Sequence, residues 1–462
     1  MRIAVAALIS CIILMTSTSH GYAKIPVVNG VSLELAQYRK KTISDINYRI
    51  SLDIPGDADY PIEAISEISF ELNDISDDVQ IDFAEHEDKI LKIVVNGSRH
   101  EINHRNEHIV IDKSFLGMGR NTVKIDYIAG DGALNRMPGY LYTLFVPDRM
   151  RTSFPSFDQP NLKATFELNL DIPRNWDAIS SAKIRDRRDT NTRAKVKFRK
   201  SDKISTYLFS FVTGRFNRVE KRVGNLQMTM LHREFDKAKA RRNVSEIFEL
   251  HKSAIEYMED YTGIEFPFQK FAFVLIPSFQ FGGMEHVGAI QYKASTLMLE
   301  KSSSTNERLA RAALIGHETA HMWFGDLVTM DWFNDVWTKE VFANFMSAKL
   351  VNPGFPDINH ELRSHLNLHP RAYSVDRTEG PNPIRQELPN LNEAGTMYGA
   401  IIYNKAPIMM QQLELLIGEQ AFQEGVREYL NSFAFSNATW DDLINILDKK
   451  SDRDLKRWSE VW

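Results

Sequence analysis

His317-Glu318-Thr319-Ala320-His321, followed after eighteen residues by Glu340, is the stretch from which the rest of the chain can be read. On a helix, residues i and i+4 lie about 40° apart around the axis, so two imidazoles leave one face and can meet one metal ion. Helix signals frame the motif on both sides. Ser304-Thr305-Asn306-Glu307 has the form of a capping box, and Leu309-Ala310-Arg311-Ala312-Ala313-Leu314-Ile315 carries that helix into the histidines. Downstream, Gly325 offers a stop and Asn334-Asp335 a new N-cap. A second helix follows, with Trp337, Val341, Phe342 and Phe345 at helical spacing, Glu340 in its first turns and Asn352-Pro353 at its end.

Two short helices joined by a brief connector bring a carboxylate back beside two histidines, giving a His2Glu set with an open position for water. This is the HExxH arrangement of a zinc peptidase. A buried helix with two satisfied histidines would share the spacing, but it would not require Glu340 or the framing helix.

Composition is that of an ordinary globular chain of 462 residues, 43% hydrophobic and 25% charged, long enough for two or three domains. A net charge of -5 without a block of one sign argues against nucleic acid as a partner. Arg2 precedes a short apolar run through Met15, a polar Thr-Ser run and Gly21-Tyr22-Ala23, so residues 1–23 read as a secretory signal cut after Ala23. The run is too short for a permanent membrane anchor. Leu8-Ile9-Ser10-Cys11 also fits a lipoprotein box, but the hydrophobic run continues past the cysteine, and lipid anchoring is the minor reading. Cys11 is the single cysteine, so a chain cut after Ala23 has neither disulfides nor thiolate ligands. An exported protein of a bacterial periplasm or envelope is the expectation.

From about residue 44 to 215 the pattern has period two, as in Tyr48-Arg49-Ile50-Ser51-Leu52-Asp53-Ile54 and Phe166-Glu167-Leu168-Asn169-Leu170-Asp171-Ile172. Asn96-Gly97 and Pro55-Gly56 are turns between such runs, and an all-β sandwich or saddle domain is expected. The strand pattern ends near Phe211-Val212-Thr213-Gly214, and helical periodicity appears from about Asn243 to Tyr261. The division is placed at 24–217 for the β domain and 218–462 for a mostly helical α+β domain. Within the latter, Phe271-Ala272-Phe273-Val274-Leu275-Ile276 reads as a buried strand. It leads to Phe281-Gly282-Gly283-Met284-Glu285-His286, whose paired glycines suit a strand edge that receives a peptide.

Phe281-Gly282-Gly283-Met284-Glu285-His286, the run from His317 through Thr329, and Trp337-Thr338-Lys339-Glu340-Val341-Phe342-Ala343 together resemble the aminopeptidase N-type family of zinc metallopeptidases. Phe154-Pro155-Ser156-Phe157-Asp158-Gln159-Pro160 and Tyr403-Asn404-Lys405 resemble two further family signatures. The resemblance implies a saddle-shaped β domain, then a thermolysin-like catalytic domain that removes residues from peptide N-termini. It implies that His317, His321 and Glu340 bind one zinc ion, that Glu318 is the general base, and that Tyr403 donates a hydrogen bond to the oxyanion. Gly282, Gly283, Met284, Glu285 and His286 become substrate-binding, with Glu285 holding the free amine.

The chain departs from the family pattern at three places. His286 stands where the family has Asn, Lys339-Glu340-Val341 where it has Asn-Glu-Gly, and Val146 where Glu or Gln is common. The helical C-terminal domain usual in relatives is expected to be missing, since the sequence stops inside what reads as a helix at Trp458-Ser459-Glu460-Val461-Trp462. A zinc endopeptidase with a relaxed N-terminal requirement, or a zinc-binding homologue without turnover, are the alternative readings.

Overall fold

Period-two burial builds the first half of the molecule, which a computed structural model describes over residues 24–462 apart from 225 and 380–382. The signal segment expected at residues 1–23 lies outside the described residues. In the strand Glu63–Leu72, Ala64, Ser66, Ile68, Phe70 and Leu72 turn inward while the residues between them face solvent. Such strands form an eight-stranded sheet in the order Ile184–Asp189, Arg193–Phe198, Ala164–Pro173, Ile43–Asp53, Glu63–Leu72, Gly119–Ile128, Ile90–Val95 and Ser98–His100. One pairing, Ile43–Asp53 with Ala164–Pro173, is parallel. The last hairpin turns on Asn96-Gly97, with φ of 49° and 85°, as a two-residue turn between twisted strands requires.

A four-stranded sheet, with Phe211–Gly214 and Tyr140–Thr143 at its centre, packs against the larger one. Aromatic rings join the layers: Phe166 stacks on Tyr48 at 5.0 Å and on Phe209 at 4.4 Å, and Phe209 stacks on Phe145 at 6.2 Å. The expected packed β domain is therefore present.

Strand structure runs past Gly214, further than the sequence pattern indicates. Asn217–Val223 and Leu226–His232 pair with each other, and the second pairs in parallel with Phe271–Ile276. Asn217–Val223 is an edge strand with no buried residue, so it has no strong apolar alternation to read. The helix Lys237–Thr262 likewise starts ahead of its periodicity, because its first turns are exposed and basic. The Asp236 side chain caps it by accepting from the Ala238 and Lys239 N–H groups, and Gly263 at φ 71° closes it.

The five-stranded sheet runs Asn217–Val223, Leu226–His232, Phe271–Ile276, Ile290–Lys293, Gly283–Met284, leaving Gly283–Met284 at its edge. Beyond it the chain is mostly helical, through Val336–Val351, His360–Asp376, Ala406–Ile417, Glu419–Ser432 and Trp440–Asp448. A short strand, Ser436–Ala438, interrupts the helices to pair with Val328–Met330. No helix among the described residues is long and apolar enough to cross a membrane.

The Phe154-to-Pro160 signature fastens the two halves together. Asp158 accepts from the Arg151 N–H at 2.9 Å and from the Thr206 hydroxyl at 2.6 Å, and the Arg151 guanidinium reaches Asn392 at 2.6 Å. Just beyond it, buried Lys163 donates to the carbonyls of Asp326 and Leu327 at 2.9 and 3.0 Å, directly behind the histidine helix. The cost of burying that cation pushes its pKa down to about 7.

Candidate metal centre and substrate cleft

The histidine helix, Thr305–Ala320, begins at the capping box read from sequence: Ser304 Oγ accepts from the Glu307 N–H, and the Glu307 carboxylate accepts from the Ser304 N–H at 2.8 Å. His321 is its C-cap. The helix Val336–Val351 packs closely against it because Gly316 has no side chain; a Cβ there would meet Ser347 Oγ at 3.0 Å. Ser347 donates to the Ala313 carbonyl at 2.7 Å across the contact. Asp335 does stand at the N-cap of the second helix, but its side chain does not cap it. Its carboxylate instead takes Arg385 at 2.8 Å, since a full guanidinium is a better partner for a buried carboxylate than a helix N–H.

This packing brings His317, His321 and Glu340 together, their ligand atoms within 4.8 Å of one another. His321 Nδ1 donates to the Phe324 carbonyl at 2.9 Å and His317 Nδ1 to Asn344 Oδ1 at 3.1 Å. Both rings are thereby held in the tautomer that leaves Nε2 with a free lone pair. The two Nε2 atoms are 3.0 Å apart, and Glu340 Oε2 lies 3.5 and 3.7 Å from them. A tetrahedral ion with bonds of about 2.0–2.1 Å has ligand-to-ligand edges of about 3.3 Å, so the donor set fits such an ion. Asn344 carries no sequence signal of its own; it is recognisable only as the residue one helical turn beyond Glu340 on the same helix.

Glu318, buried beside this set, forms a second close group with Glu285 and His321. Burial pushes its carboxyl up to about 8, against the pull of His317. Gly283 explains how Glu318 is accommodated: a Cβ at that position would lie 2.2 Å from Glu318 Oε1. Gly283→Ala is expected to push the carboxylate aside and lower kcat about 100-fold without loss of bound metal, measurable by steady-state kinetics beside metal analysis.

A cleft of about 690 Å³ opens over these groups. Its walls include Gly282, Gly283, Met284 and Glu285 from the edge strand, Val146 and Pro147 from the β domain, and Tyr398 and Tyr403. Tyr403 sits in a π-helical turn, Ile401–Lys405, that precedes the helix Ala406–Ile417. Burial raises its pKa, so its hydroxyl stays protonated. His286, expected at the wall, is instead fully buried and does not line the cleft. It lies beyond the edge strand Gly283–Met284, where the chain turns away from the cleft and its imidazole enters the core. There burial lowers the imidazole to about 4 and keeps it neutral.

A model of the peptidase M1 N-terminal domain matches residues 45–208, and a model of the peptidase family M1 domain matches residues 246–462. The chain belongs to the M1 peptidase family. Similar M1 relatives include a leucyl aminopeptidase of Saccharolobus solfataricus, 29% identical over 81% of this chain and 48% of its own length. An aminopeptidase N of Streptomyces lividans is 33% identical over 70% of this chain and 38% of that protein. A probable aminopeptidase 2 of Sulfurisphaera tokodaii is 31% identical over 69% and 40% respectively. The chain thus spans less than half the length of these M1 relatives.

Lys339, a departure from the M1 pattern, proves to be central. Its Nζ lies 2.5 Å from Glu285 Oε1 and 2.8 Å from Glu340 Oε1, with all three side chains buried. Burial opposes each charge, but the mutual attraction outweighs it: Glu285 and Glu340 are held below the usual carboxylate range and Lys339 above that of a free ammonium.

Proposed function

We propose that the chain is a zinc metallopeptidase related to aminopeptidases, hydrolysing a peptide bond near the N-terminal end of its substrate. The observation that carries this reading is the convergence of His317 Nε2, His321 Nε2 and Glu340 Oε2 at tetrahedral spacing beside Glu318, beneath a sheet edge. Zinc held there supplies a water acidified towards neutral pH and a positive centre that polarises the scissile carbonyl.

The chain's own residues do the rest. The edge strand Gly283–Met284 has unpaired backbone groups along which an extended peptide can lie. With a divalent cation beside it to offset the cost of its burial, Glu318 would be ionised and could take a proton from the attacking water and give it to the leaving amine. Tyr403 donates to the developing oxyanion, and Tyr403→Phe is expected to lower kcat about 100-fold with little change in KM. The two Nδ1 hydrogen bonds keep both imidazoles aimed at the ion. The signal-like leader, with Arg2, its apolar run and Ala23, supports export of the enzyme.

The test is hydrolysis of matched aminoacyl and N-acetylaminoacyl p-nitroanilides, with metal quantified in the same samples. Activity that a chelator removes and zinc restores is the expected result. A zinc-loaded protein that cleaves neither series overturns the reading in favour of a zinc-binding homologue without turnover.

A further inference from the structure

The carboxylate best placed to receive a substrate's amine already holds an ammonium from the protein itself. Lys339 Nζ, one residue ahead of Glu340 on the same helix, is 2.5 Å from Glu285 Oε1. It is not a surface side chain that swings in and out: Lys339 is 3% exposed, its second bond is to Glu340 at 2.8 Å, and its ammonium lies 5.6 Å from the centre of the Tyr207 ring. Two buried carboxylates and an aromatic face hold it.

Two further carboxylates that line the cleft beside Glu285 have their own roles. Glu340 shares Oε1 with Lys339 and turns Oε2 to the two histidines, and Glu318 is the proton acceptor of the proposed reaction. The β domain contributes Val146 and Pro147 to this wall, neither of which has a side-chain acceptor. A charged α-amine entering here would meet a like charge, beside a Glu285 carboxylate already paired through Oε1 with Lys339. An acylated nitrogen carries no charge. Apolar residues such as Val146, Pro147 and Leu314 line the cleft it would enter, and one of the three ammonium protons of Lys339 is not used by a carboxylate and suits an acyl carbonyl.

We propose that Lys339 occupies the subsite for the substrate's α-ammonium, and that this chain takes peptides whose corresponding nitrogen is acylated and uncharged. The proposal rests on the metallopeptidase reading above and assigns the substrate class of that site. The acyl group can be a short N-terminal cap or further residues of a longer chain; both present the same neutral amide.

The experiment compares Leu-Gly-Gly, N-acetyl-Leu-Gly-Gly and Gly-Gly-Leu-Gly-Gly as substrates, by kcat/KM, for the zinc-loaded protein, Lys339→Asn and Glu285→Gln. It also measures binding of leucinamide and N-acetylleucinamide to the metal-free proteins by calorimetry. The expected result is that the wild type favours the acetylated over the free tripeptide at least tenfold. In Glu285→Gln that preference is retained, and in Lys339→Asn it shifts at least tenfold towards the free amine. Cleavage of the Leu-Gly bond in the pentapeptide identifies longer chains as the source of the acyl group; its absence beside cleavage of the acetylated tripeptide identifies the cap.

In the binding arm, leucinamide should gain at least tenfold in affinity over its acetylated form when Lys339 is replaced. A wild type that prefers the free amine at least tenfold, and loses this preference in Glu285→Gln, overturns the proposal. Absence of turnover in every zinc-loaded protein defeats the peptidase reading instead, and the binding comparison then decides Lys339 alone. Should Lys339→Asn fail to fold, Glu285→Gln and the wild type still decide it.

Discussion

Glu318→Gln is expected to lower kcat by up to about 10,000-fold while the protein still binds one zinc ion per chain. The amide has the shape of the carboxylate and fits the space left by Gly283, so neither the helix nor the three ligands should move. What is lost is the ability to accept a proton from water and return it to the leaving amine. Steady-state kinetics paired with metal quantification checks both halves of the expectation. A variant that loses zinc together with activity would show that Glu318 holds the site together rather than serving as the base.

Arg39→Ala should cost about 4 kcal/mol of folding stability without touching the cleft. Arg39 and Asp82 are 1% and 0% exposed, joined by two hydrogen bonds of 2.5 and 2.9 Å, and Arg39 also donates to the Gln80 carbonyl at 2.7 Å. Asp82 further accepts from the Asp158 N–H at 2.7 Å and lies 2.8 Å from His108 Nδ1. Removing the guanidinium leaves a carboxylate in the core with too little to balance it, which is why the loss far exceeds that of a surface ion pair. Urea denaturation followed by far-UV circular dichroism measures the change, and adding Asp82→Asn to Arg39→Ala should recover part of it. A loss below about 1 kcal/mol would mean that water reaches the pair.

Local patterns were legible wherever one face of an element is buried and the other is wet. The alternation in Glu63–Leu72, the capping box at Ser304 and the i, i+4 spacing of the histidines each depend on residues within one or two turns or strands, so spacing alone reveals them. The same dependence explains what was missed. Asn217–Val223 buries no residue fully and turns only Val219 and Val223 towards the core, and the first turns of Lys237–Thr262 bury nothing, so neither has a strong period to detect. Asp335 occupies the N-cap position that the sequence indicates, yet Arg385, fifty residues away in the chain, competes for its carboxylate.

Residue types and spacing were enough to expect His317, His321 and Glu340 side by side with Glu318 near them, because two helices with a short connector leave few ways to place them. His286 lies beyond the paired residues Gly283–Met284, so no strand pattern in the sequence tells whether it faces the cleft or the core.

The sequence by itself determined a helix pair carrying a candidate metal-ligand set after a β domain, since both are written in short-range periodicity. Only the tertiary structure decided that Lys339 faces Glu285. The two are 54 residues apart, and they meet because the fold brings the first turn of the helix Val336–Val351 to the residue that follows the edge strand Gly283–Met284. A lysine next to a metal ligand looks, in one dimension, like a solvated charge; folded between two buried carboxylates, it becomes a fixed part of the site's charge and shape.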